Sequence, residues 1–264
     1  MTQPSEPAVR FDVDGGVATI TLNRPDEMNT INGDLSRGLM DALHQVRDRD
    51  DIRVAVLTGN GRAFCAGADL RSRADGPAAG GGPASVFRTD DAPGFTEFDA
   101  KKPIIGAING FCLGGGFEIA LSCDLLIASE AAQFGLPEIT LGFFPLAGAP
   151  VTLPRSIPRV LANDMLFTGE RIDAATALRF GLVSRVVPAE ELQTTAKAMA
   201  TRIAGFAPIA VRAMLELVGR QGDLPIGDAL RLASTMRYVV GLTDDAKEGP
   251  RAFAEKRQPV FKGQ

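Results

Sequence analysis

A glutamate near the middle of the chain has neighbours that could suit it to proton transfer. Glu138 follows Pro137 and precedes the apolar Ile139, and such a position can place a carboxyl group in an apolar pocket. Burial raises the pKa of a carboxylic acid toward neutrality, where the group can both accept and release a proton. On these neighbours alone, a solvated surface glutamate is the simpler interpretation.

A glycine run stands before a second glutamate, in the sequence Leu113-Gly114-Gly115-Gly116-Phe117-Glu118. It lies between a predicted strand and a predicted helix. Glycines let the backbone approach a ligand closely, and the start of a helix presents free N–H groups to an anion. The run could therefore cradle a phosphate or stabilise an oxyanion, and no Gly-Lys-Ser/Thr of a nucleotide P-loop follows it. Tight packing of the helix on the strand explains the glycines equally well.

A run of small residues, Ala63-Phe64-Cys65-Ala66-Gly67-Ala68-Asp69-Leu70, follows another predicted strand. Small side chains after a strand also allow backbone N–H groups to face a ligand. Taken alone, this run favours a tight turn.

Alternating strands and helices must position these three segments. Residues 9–13 and 17–22 alternate apolar and polar side chains around Asp14-Gly15-Gly16, which predicts a hairpin. Residues 32–48 carry an apolar stripe at helical spacing. Short apolar strands are predicted at 54–57, 104–108 and 125–128, with a helix at 115–122. This order predicts an α/β core with buried, parallel strands.

The second half of the chain is predicted to be mostly helical. Asp173 is expected to cap a helix that ends at Phe180, and a strand follows at 183–187. Helices are then predicted at 188–204, 208–219 and 228–240, and a last one after Gly249-Pro250. The Gly- and Pro-rich stretch at 73–93 indicates a mobile surface loop. We place a boundary near Phe206, between a core of residues 1–205 and a helical region of residues 206–264.

Composition excludes several functional classes. The net charge is -4 without a long basic run, which argues against a nucleic-acid binder. Neither a signal peptide nor a transmembrane stretch is expected. Three cysteines without a disulfide spacing fit a reducing cytoplasm. A single histidine, His44, on a predicted helix surface, and the lack of a CxxC pair argue against a metal site.

Five segments together closely resemble the crotonase (enoyl-CoA hydratase/isomerase) superfamily, in the family's order and over nearly the whole chain. The matching stretches are residues 17–25, 63–69, 109–124, 134–138 and 248–262. The resemblance implies a spiral of β-β-α turns followed by a C-terminal α-helical region that forms trimers. A hexamer built as a dimer of trimers is common in this family.

The resemblance also implies roles for individual residues. Glu118 and Glu138 match the two catalytic glutamates of the family's hydratases, and the backbone N–H groups of Ala68 and Gly115 match its oxyanion hole. The contacts to coenzyme A that match are Ala66, Phe253 and Lys256, and Asp69 is a further candidate. Arg71 is a substitute candidate for a phosphate contact, although an arginine in a solvated loop explains it equally well. Coenzyme A would arrive as part of an acyl-CoA thioester, so neither a separate cofactor nor a metal is expected.

Two departures from the family pattern bear on the substrate. The residues after Glu138 are bulkier than the usual glycine-rich run, and Phe117 replaces a small residue, so the pocket walls are expected to be bulkier. Asp26-Glu27 replaces a stretch that is often basic, so one phosphate contact is expected to be missing.

The sequence therefore predicts hydration of a 2-trans-enoyl-CoA. An isomerase that moves a double bond is the nearest alternative, although isomerases of the family often keep only the glutamate that matches Glu138. Another crotonase-type reaction on an acyl-CoA stays open, because a fold does not fix a reaction. A non-catalytic scaffold or RNA-binding member is the alternative from another class. Both glutamates and the absence of a basic stripe speak against it.

Overall fold

The computed structural model describes residues 6–69 and 94–264, which are built on two β-sheets. The strands are β1 Val9–Asp14, β2 Val17–Leu22, β3 Val54–Gly59, β4 Ala63–Cys65, β5 Ile104–Ile108, β6 Phe111–Leu113, β7 Leu125–Ser129, β8 Gln133–Gly135, β9 Arg171–Asp173 and β10 Arg185–Val187. The first sheet has the order β1-β2-β3-β5-β7-β10, and the second has the order β4-β6-β8-β9.

From β3 to β8, consecutive strands alternate between the two sheets. β3, β5 and β7 run parallel in the first sheet, while β4, β6 and β8, which directly follow them, run parallel in the second. Each turn of the chain thus contributes one strand to each sheet before it returns. This is the expected spiral of β-β-α turns, and the predicted hairpin is the antiparallel β1–β2 pair.

Nine helices accompany the sheets in the described part of the chain. They are α1 Gly33–Asp48, α2 Gly115–Leu121, α3 Ala149–Ser156, α4 Arg159–Thr168, α5 Ala174–Arg179, α6 Leu192–Ala204, α7 Pro208–Gln221, α8 Ile226–Gly241 and α9 Asp244–Ala254. The predicted cap of α5 is confirmed, since the Asp173 side chain accepts the Thr176 N–H at 2.8 Å. Asn32 caps α1 in the same way, through the Leu35 N–H at 2.9 Å.

The first sheet is buried on both faces. The apolar stripe of α1, including Leu35 and Leu39, belongs to the larger core cluster. Ala196 and Ala200 of α6 pack in a second cluster with Val54 and other side chains of the sheet's opposite face. Every residue of β3 and β5 is buried as a result, as their uninterrupted apolar sequence predicts. The ends of these strands are thereby fixed relative to each other.

Three expectations about local structure were wrong or incomplete. Residues 63–65 form β4, and the expected tight turn begins only at Gly67, whose φ is +98°. Helices α3 and α4 were not predicted. The last helix begins at Asp244, where Thr243 caps it by accepting the Ala246 N–H at 3.2 Å, and it continues through Pro250 instead of starting after it.

The C-terminal helices cover little apolar surface of their own. No side chain of α7 is buried, and Ala229 is the single buried residue of α8. The boundary near residue 206 stays a prediction. No single helix in the described residues is long and apolar enough to cross a membrane. The segments 189–204 and 208–221 have sufficient length and apolar character only when taken together, and they are bent by 109° relative to each other. The predicted loop at 73–93 and Arg71 lie outside the described residues.

Candidate active site

Three segments that carry the sequence motifs meet around one cavity of about 230 Å³. They are the loop after β4, the glycine turn before α2 and the 3-10 turn Pro137–Leu141 that follows β8. The cavity is lined by Ile31, Ala66, Gly67, Ala68, Phe95, Gly114, Gly115, Glu118, Pro137, Glu138, Leu141, Phe143, Phe144, Leu146 and Ala147. Both predicted catalytic glutamates and both predicted oxyanion donors therefore line the same space.

The geometry of the glycine run allows both of the uses inferred from its sequence. A Cβ on Gly116 would lie 2.2 Å from the Cys65 carbonyl oxygen, so this glycine lets α2 pack against β4. Gly114 has φ +55° and ψ -131°, a backbone conformation that glycine adopts without strain. A Cβ there would lie 2.8 Å from Oε1 of Glu138. Gly114 thus leaves room for a carboxylate beside the start of the helix.

Backbone hydrogen bonds on either side of Ala68 set the direction of its N–H group. Ile31 forms a parallel bridge with Ala68, in which the Ile31 N–H donates to the Gly67 carbonyl at 2.8 Å and the Asp69 N–H donates to the Ile31 carbonyl at 3.0 Å. Successive N–H groups of an extended chain point to opposite sides. The Ala68 N–H therefore faces away from Ile31.

The second predicted donor lies close to the first. Gly115 is the first residue of α2, where N–H groups have no partner within the helix. A Cβ on Gly67 would lie 3.6 Å from the Gly115 nitrogen, so the two backbone segments are in contact. This arrangement can present two N–H groups to one oxygen atom.

Glu118 is buried, and one of its carboxyl oxygens is bound by backbone N–H groups. Its side chain projects from α2, and the residue is 4% exposed. Oε1 accepts the N–H groups of Ala147 at 2.8 Å and Ala149 at 3.0 Å. Burial raises the pKa of Glu118, and the two backbone N–H groups oppose that rise.

Glu138 is the less satisfied of the two carboxyl groups. Its Oε2 is buried and has no hydrogen-bond partner in the structure. Burial raises the pKa of Glu138, and the nearby charge of Glu118 raises it further. A hydrogen bond from the Glu138 backbone N–H lowers the pKa in part. A buried carboxyl oxygen without a partner is costly when ionised, so this environment favours the protonated acid.

The site combines acid–base groups with backbone donors. Oε1 of Glu118 is held by two N–H groups that favour its ionised form, whereas Oε2 of Glu138 has no hydrogen-bond partner. Such a pair can take a proton at one position and give one at another. In residues 6–69 and 94–264, no group of three or more histidine, cysteine, aspartate or glutamate side chains is arranged to hold a metal ion.

The remaining predicted contacts to coenzyme A are spread over the molecule. Ala66 lines the cavity, but its N–H donates to the Met28 carbonyl at 3.0 Å, which leaves its carbonyl for a ligand. Asp69 ends the same loop and pairs with Arg24. Phe253, which is 86% exposed, and Lys256 lie at the end of α9 and do not line this cavity.

Several features of the site were missed from the sequence. Glu118 is bound by the backbone N–H groups of Ala147 and Ala149. Because any residue type has such a group, the sequence did not indicate these hydrogen bonds. Phe143 and Phe144 line the cavity, in agreement with the expected bulkier wall. Phe117 was also expected to make the wall bulkier, but it does not line the cavity. It is fully buried and packs against Phe134 with ring centroids 5.5 Å apart.

Comparison with known proteins gives a consistent set of relatives. The family model described as enoyl-CoA hydratase/isomerase matches residues 12–264. The carnitinyl-CoA dehydratase of Proteus mirabilis is 42% identical over 94% of this chain and 96% of its own, and that of Salmonella enteritidis is 39% identical over the same shares. An enoyl-CoA hydratase structure from Bacillus anthracis has a TM-score of 0.91 at 37% identity, covering 97% of this chain and 100% of its own.

Proposed function

The chain belongs to the enoyl-CoA hydratase/isomerase family, and on that premise we propose that it catalyses the reversible addition of water to a 2-trans-enoyl-CoA. The observation that carries the proposal is the meeting on one cavity of the buried Glu118, the half-buried Glu138 and the Ala68 and Gly115 backbone. Hydration and dehydration are two directions of one equilibrium, so the same groups serve both.

The reaction begins at the thioester carbonyl. Addition of water to the β-carbon moves the double-bond electrons toward this carbonyl and builds enolate charge on its oxygen. The Ala68 and Gly115 N–H groups would stabilise that charge, and the loss of one such donor typically costs about 3 kcal/mol of transition-state stabilisation. The two N–H groups belong to packed backbone segments, so they need little rearrangement when the charge develops.

The two glutamates divide the proton transfers. Glu118, whose Oε1 accepts two N–H groups, acts as the base that takes a proton from the attacking water. The water oxygen forms the new bond to the β-carbon. Glu138 gives its proton to the α-carbon as the enolate collapses, and a buried oxygen without a partner suits a carboxyl group that is protonated at rest.

The presence of Glu118 favours hydration over double-bond isomerisation. An isomerase needs one group that removes and returns a proton, and Glu138 alone could do this. A second carboxylate, buried and positioned by Ala147 and Ala149, has a use when water must be activated.

The enoyl-CoA assay tests the proposal. With 2-trans-enoyl-CoA esters of increasing chain length, we expect loss of absorbance of the conjugated thioester and formation of a 3-hydroxyacyl-CoA. If no ester is turned over while free coenzyme A and saturated acyl-CoA bind, hydration is the wrong reaction.

A dehydratase for a carnitinyl-type ester is the second candidate. The Proteus and Salmonella relatives carry that name, and three phenylalanines line the cavity. Aromatic faces bind quaternary ammonium groups with about 0.5–2 kcal/mol. Here the aromatic wall is interrupted by Leu141 and Leu146, so we expect it to compensate the lost hydration of a cation poorly.

A matched pair of substrates separates the candidates. One ester is a 2-enoyl-CoA with a trimethylammonium group on carbon 4, and the other is its neutral isostere, 5,5-dimethylhex-2-enoyl-CoA. We expect kcat/KM to be about tenfold higher for the neutral ester, a difference of about 1.4 kcal/mol. A preference of that size for the cationic ester would favour the second candidate.

We further propose that coenzyme A enters only as part of the substrate and that the chain assembles as a trimer or a dimer of trimers. Phe253 and Lys256 lie outside the cavity of their own chain, so a neighbouring subunit could bring them to a ligand. Nucleic acid and membrane are not expected partners. A cytoplasmic location fits three free thiols.

The helical C-terminal region provides a test of assembly. Leu230 is 61% exposed and Phe253 is 86% exposed in the single chain, and we expect a neighbouring subunit to cover such side chains. Light scattering at micromolar concentration should give three or six times the monomer mass. A stable monomer with full activity would contradict the proposed assembly.

A further inference from the structure

We propose that Arg24 is a positioning residue that holds the Ala68 N–H in the oxyanion hole, an inference that rests on the proposed function. Arg24 lies outside the cavity and is not one of its lining residues. It acts through the segment of residues 24–31, here called the strap, which runs beside the loop 66–69.

The Arg24 side chain joins the strap to the end of that loop. One guanidinium nitrogen, Nη1, donates to the Thr30 carbonyl, and the other, Nη2, lies 3.2 Å from Oδ2 of Asp69. Both side chains of this ion pair are 16% exposed, so the pair is screened less by solvent than an exposed one. A planar guanidinium can satisfy both partners at once because its donors have fixed directions.

Backbone hydrogen bonds connect the strap and the loop along their length. The Ala66 N–H donates to the Met28 carbonyl at 3.0 Å. Ile31 accepts the Asp69 N–H and donates to the Gly67 carbonyl, forming the bridge with Ala68. The path of the loop, and with it the direction of the Ala68 N–H, therefore follows the path of the strap.

The strap adopts a backbone conformation that needs support. Met28 and Asn29 have φ values of +52° and +55°, which are unfavourable for residues with a Cβ. Asn29 is fully buried, and its side-chain oxygen accepts the backbone N–H of Arg24 at 2.8 Å. Its side-chain N–H groups donate to the backbone carbonyls of Asn60 and Ala63. A conformation of this kind persists where several contacts impose it, and such sites are often functional.

The strap also touches the second donor. Ile31 lines the cavity, and its Cδ1 lies 3.0 Å from the position that a Cβ on Gly115 would occupy. Ile31 thus contacts the backbone at Gly115 and bridges to Ala68. A shift of the strap would displace both N–H groups relative to each other.

The Arg24–Asp69 pair gives Asp69 a different role from the predicted contact with coenzyme A. If Arg24 positions Ala68 through Asp69, replacing either side chain should weaken polarisation of the thioester carbonyl and leave affinity for coenzyme A intact. If Asp69 binds coenzyme A directly, replacing Asp69 should lower that affinity and leave carbonyl polarisation intact.

The test uses three variants of the full chain, Arg24→Lys, Arg24→Gln and Asp69→Asn, with Arg37→Lys as the control. Arg37 is an exposed arginine on α1 that pairs with Asp34. We expect kcat for enoyl-CoA hydration to fall tenfold to a hundredfold in the three variants, less than or equal to the loss of a whole oxyanion donor. KM and the dissociation constant of free coenzyme A should stay within about twofold, because few contacts to the ligand change.

A spectroscopic signature separates positioning from general stability. The infrared carbonyl stretch of bound butyryl-CoA, labelled with ¹³C at the thioester carbon, should move to lower frequency in the wild-type protein and in Arg37→Lys. In Arg24→Lys the shift should be largely lost, since lysine keeps the charge but not the fork of donors. Measurements are made well below the melting temperature of each variant.

Two results would overturn the inference. One is an Arg24→Lys or Arg24→Gln variant with wild-type kcat and carbonyl shift. The other is an Asp69→Asn variant that keeps the carbonyl shift but binds coenzyme A at least tenfold more weakly. Failure of the proposed function looks different: a wild-type protein that shifts the carbonyl band without hydrating any ester would remove the hydratase, and loss of that shift in Arg24→Lys would still support the positioning role.

Discussion

Replacement of Glu138 or Glu118 by glutamine should lower kcat for the best enoyl-CoA substrate by a factor of about 100 or more, as the loss of an acid–base group typically does. Glutamine has nearly the same shape as glutamate but cannot supply an acidic proton or accept one from water. In Glu118→Gln the amide oxygen can still accept the N–H groups of Ala147 and Ala149. The loss should therefore be chemical, with little change in melting temperature.

The pH dependence should identify which glutamate does what. Burial raises the pKa of both groups. Hydration needs ionised Glu118, so kcat should fall as the pH drops through its raised pKa. It also needs protonated Glu138, so kcat should fall as the pH rises through the raised pKa of that group. Each glutamine variant should lose the corresponding limb of the profile.

Glu130→Gln serves as the control for these variants. Glu130 is exposed at the end of β7, away from the residues that line the cavity, and its replacement should leave kcat unchanged. Near-wild-type rates in both Glu118→Gln and Glu138→Gln would show that the two glutamates do not carry out the reaction.

Gly114→Ala should reduce kcat by about a hundredfold through displacement of Glu138. Its Cβ would lie 2.8 Å from Oε1 of Glu138, so the carboxylate must move. A misplacement of about 1 Å in a catalytic group can cost roughly a hundredfold in rate. The backbone at φ +55° and ψ -131° is also strained for alanine, by about 1–3 kcal/mol.

Gly181→Ala separates these two effects. Gly181 has φ +78°, and nothing lies within 4 Å of the position that a Cβ would occupy there. It should lose stability because a positive φ is unfavourable for alanine, without a change in kcat. Equal rates in Gly114→Ala and the wild type would mean that the position of Glu138 beside the glycine turn does not matter for the reaction.

Much of the fold follows from local sequence. The Asp173 cap could be predicted because its side chain can accept an N–H group three residues later. β3 and β5 were readable because a strand buried on both faces leaves an uninterrupted apolar run. The second sheet could not be predicted in this way, because its strands have only three residues each, too few to show a pattern of apolar residues.

The resemblance predicted residues that line the cavity, whereas the contacts that hold them in place were missed. The resemblance to the family identified Glu118 and Glu138, and both line the cavity. Ala149 is 31 residues from Glu118, and Asp69 is 45 residues from Arg24. Neither pairing leaves a local pattern, since folding brings these groups together only when the spiral closes. Phe117 shows the reverse error, because a bulky residue next to the glycine run faces the core.

The central claim is that Glu118 and Glu138 add water across the double bond, and isotopes test it most directly. The wild-type protein is incubated with 2-trans-butenoyl-CoA in water enriched in ¹⁸O and deuterium, and the product is analysed by mass spectrometry. We predict 3-hydroxybutanoyl-CoA with ¹⁸O on carbon 3 and one deuterium on carbon 2. Deuterium in the acyl chain without ¹⁸O, accompanied by a shifted double bond, would contradict hydration and identify an isomerase.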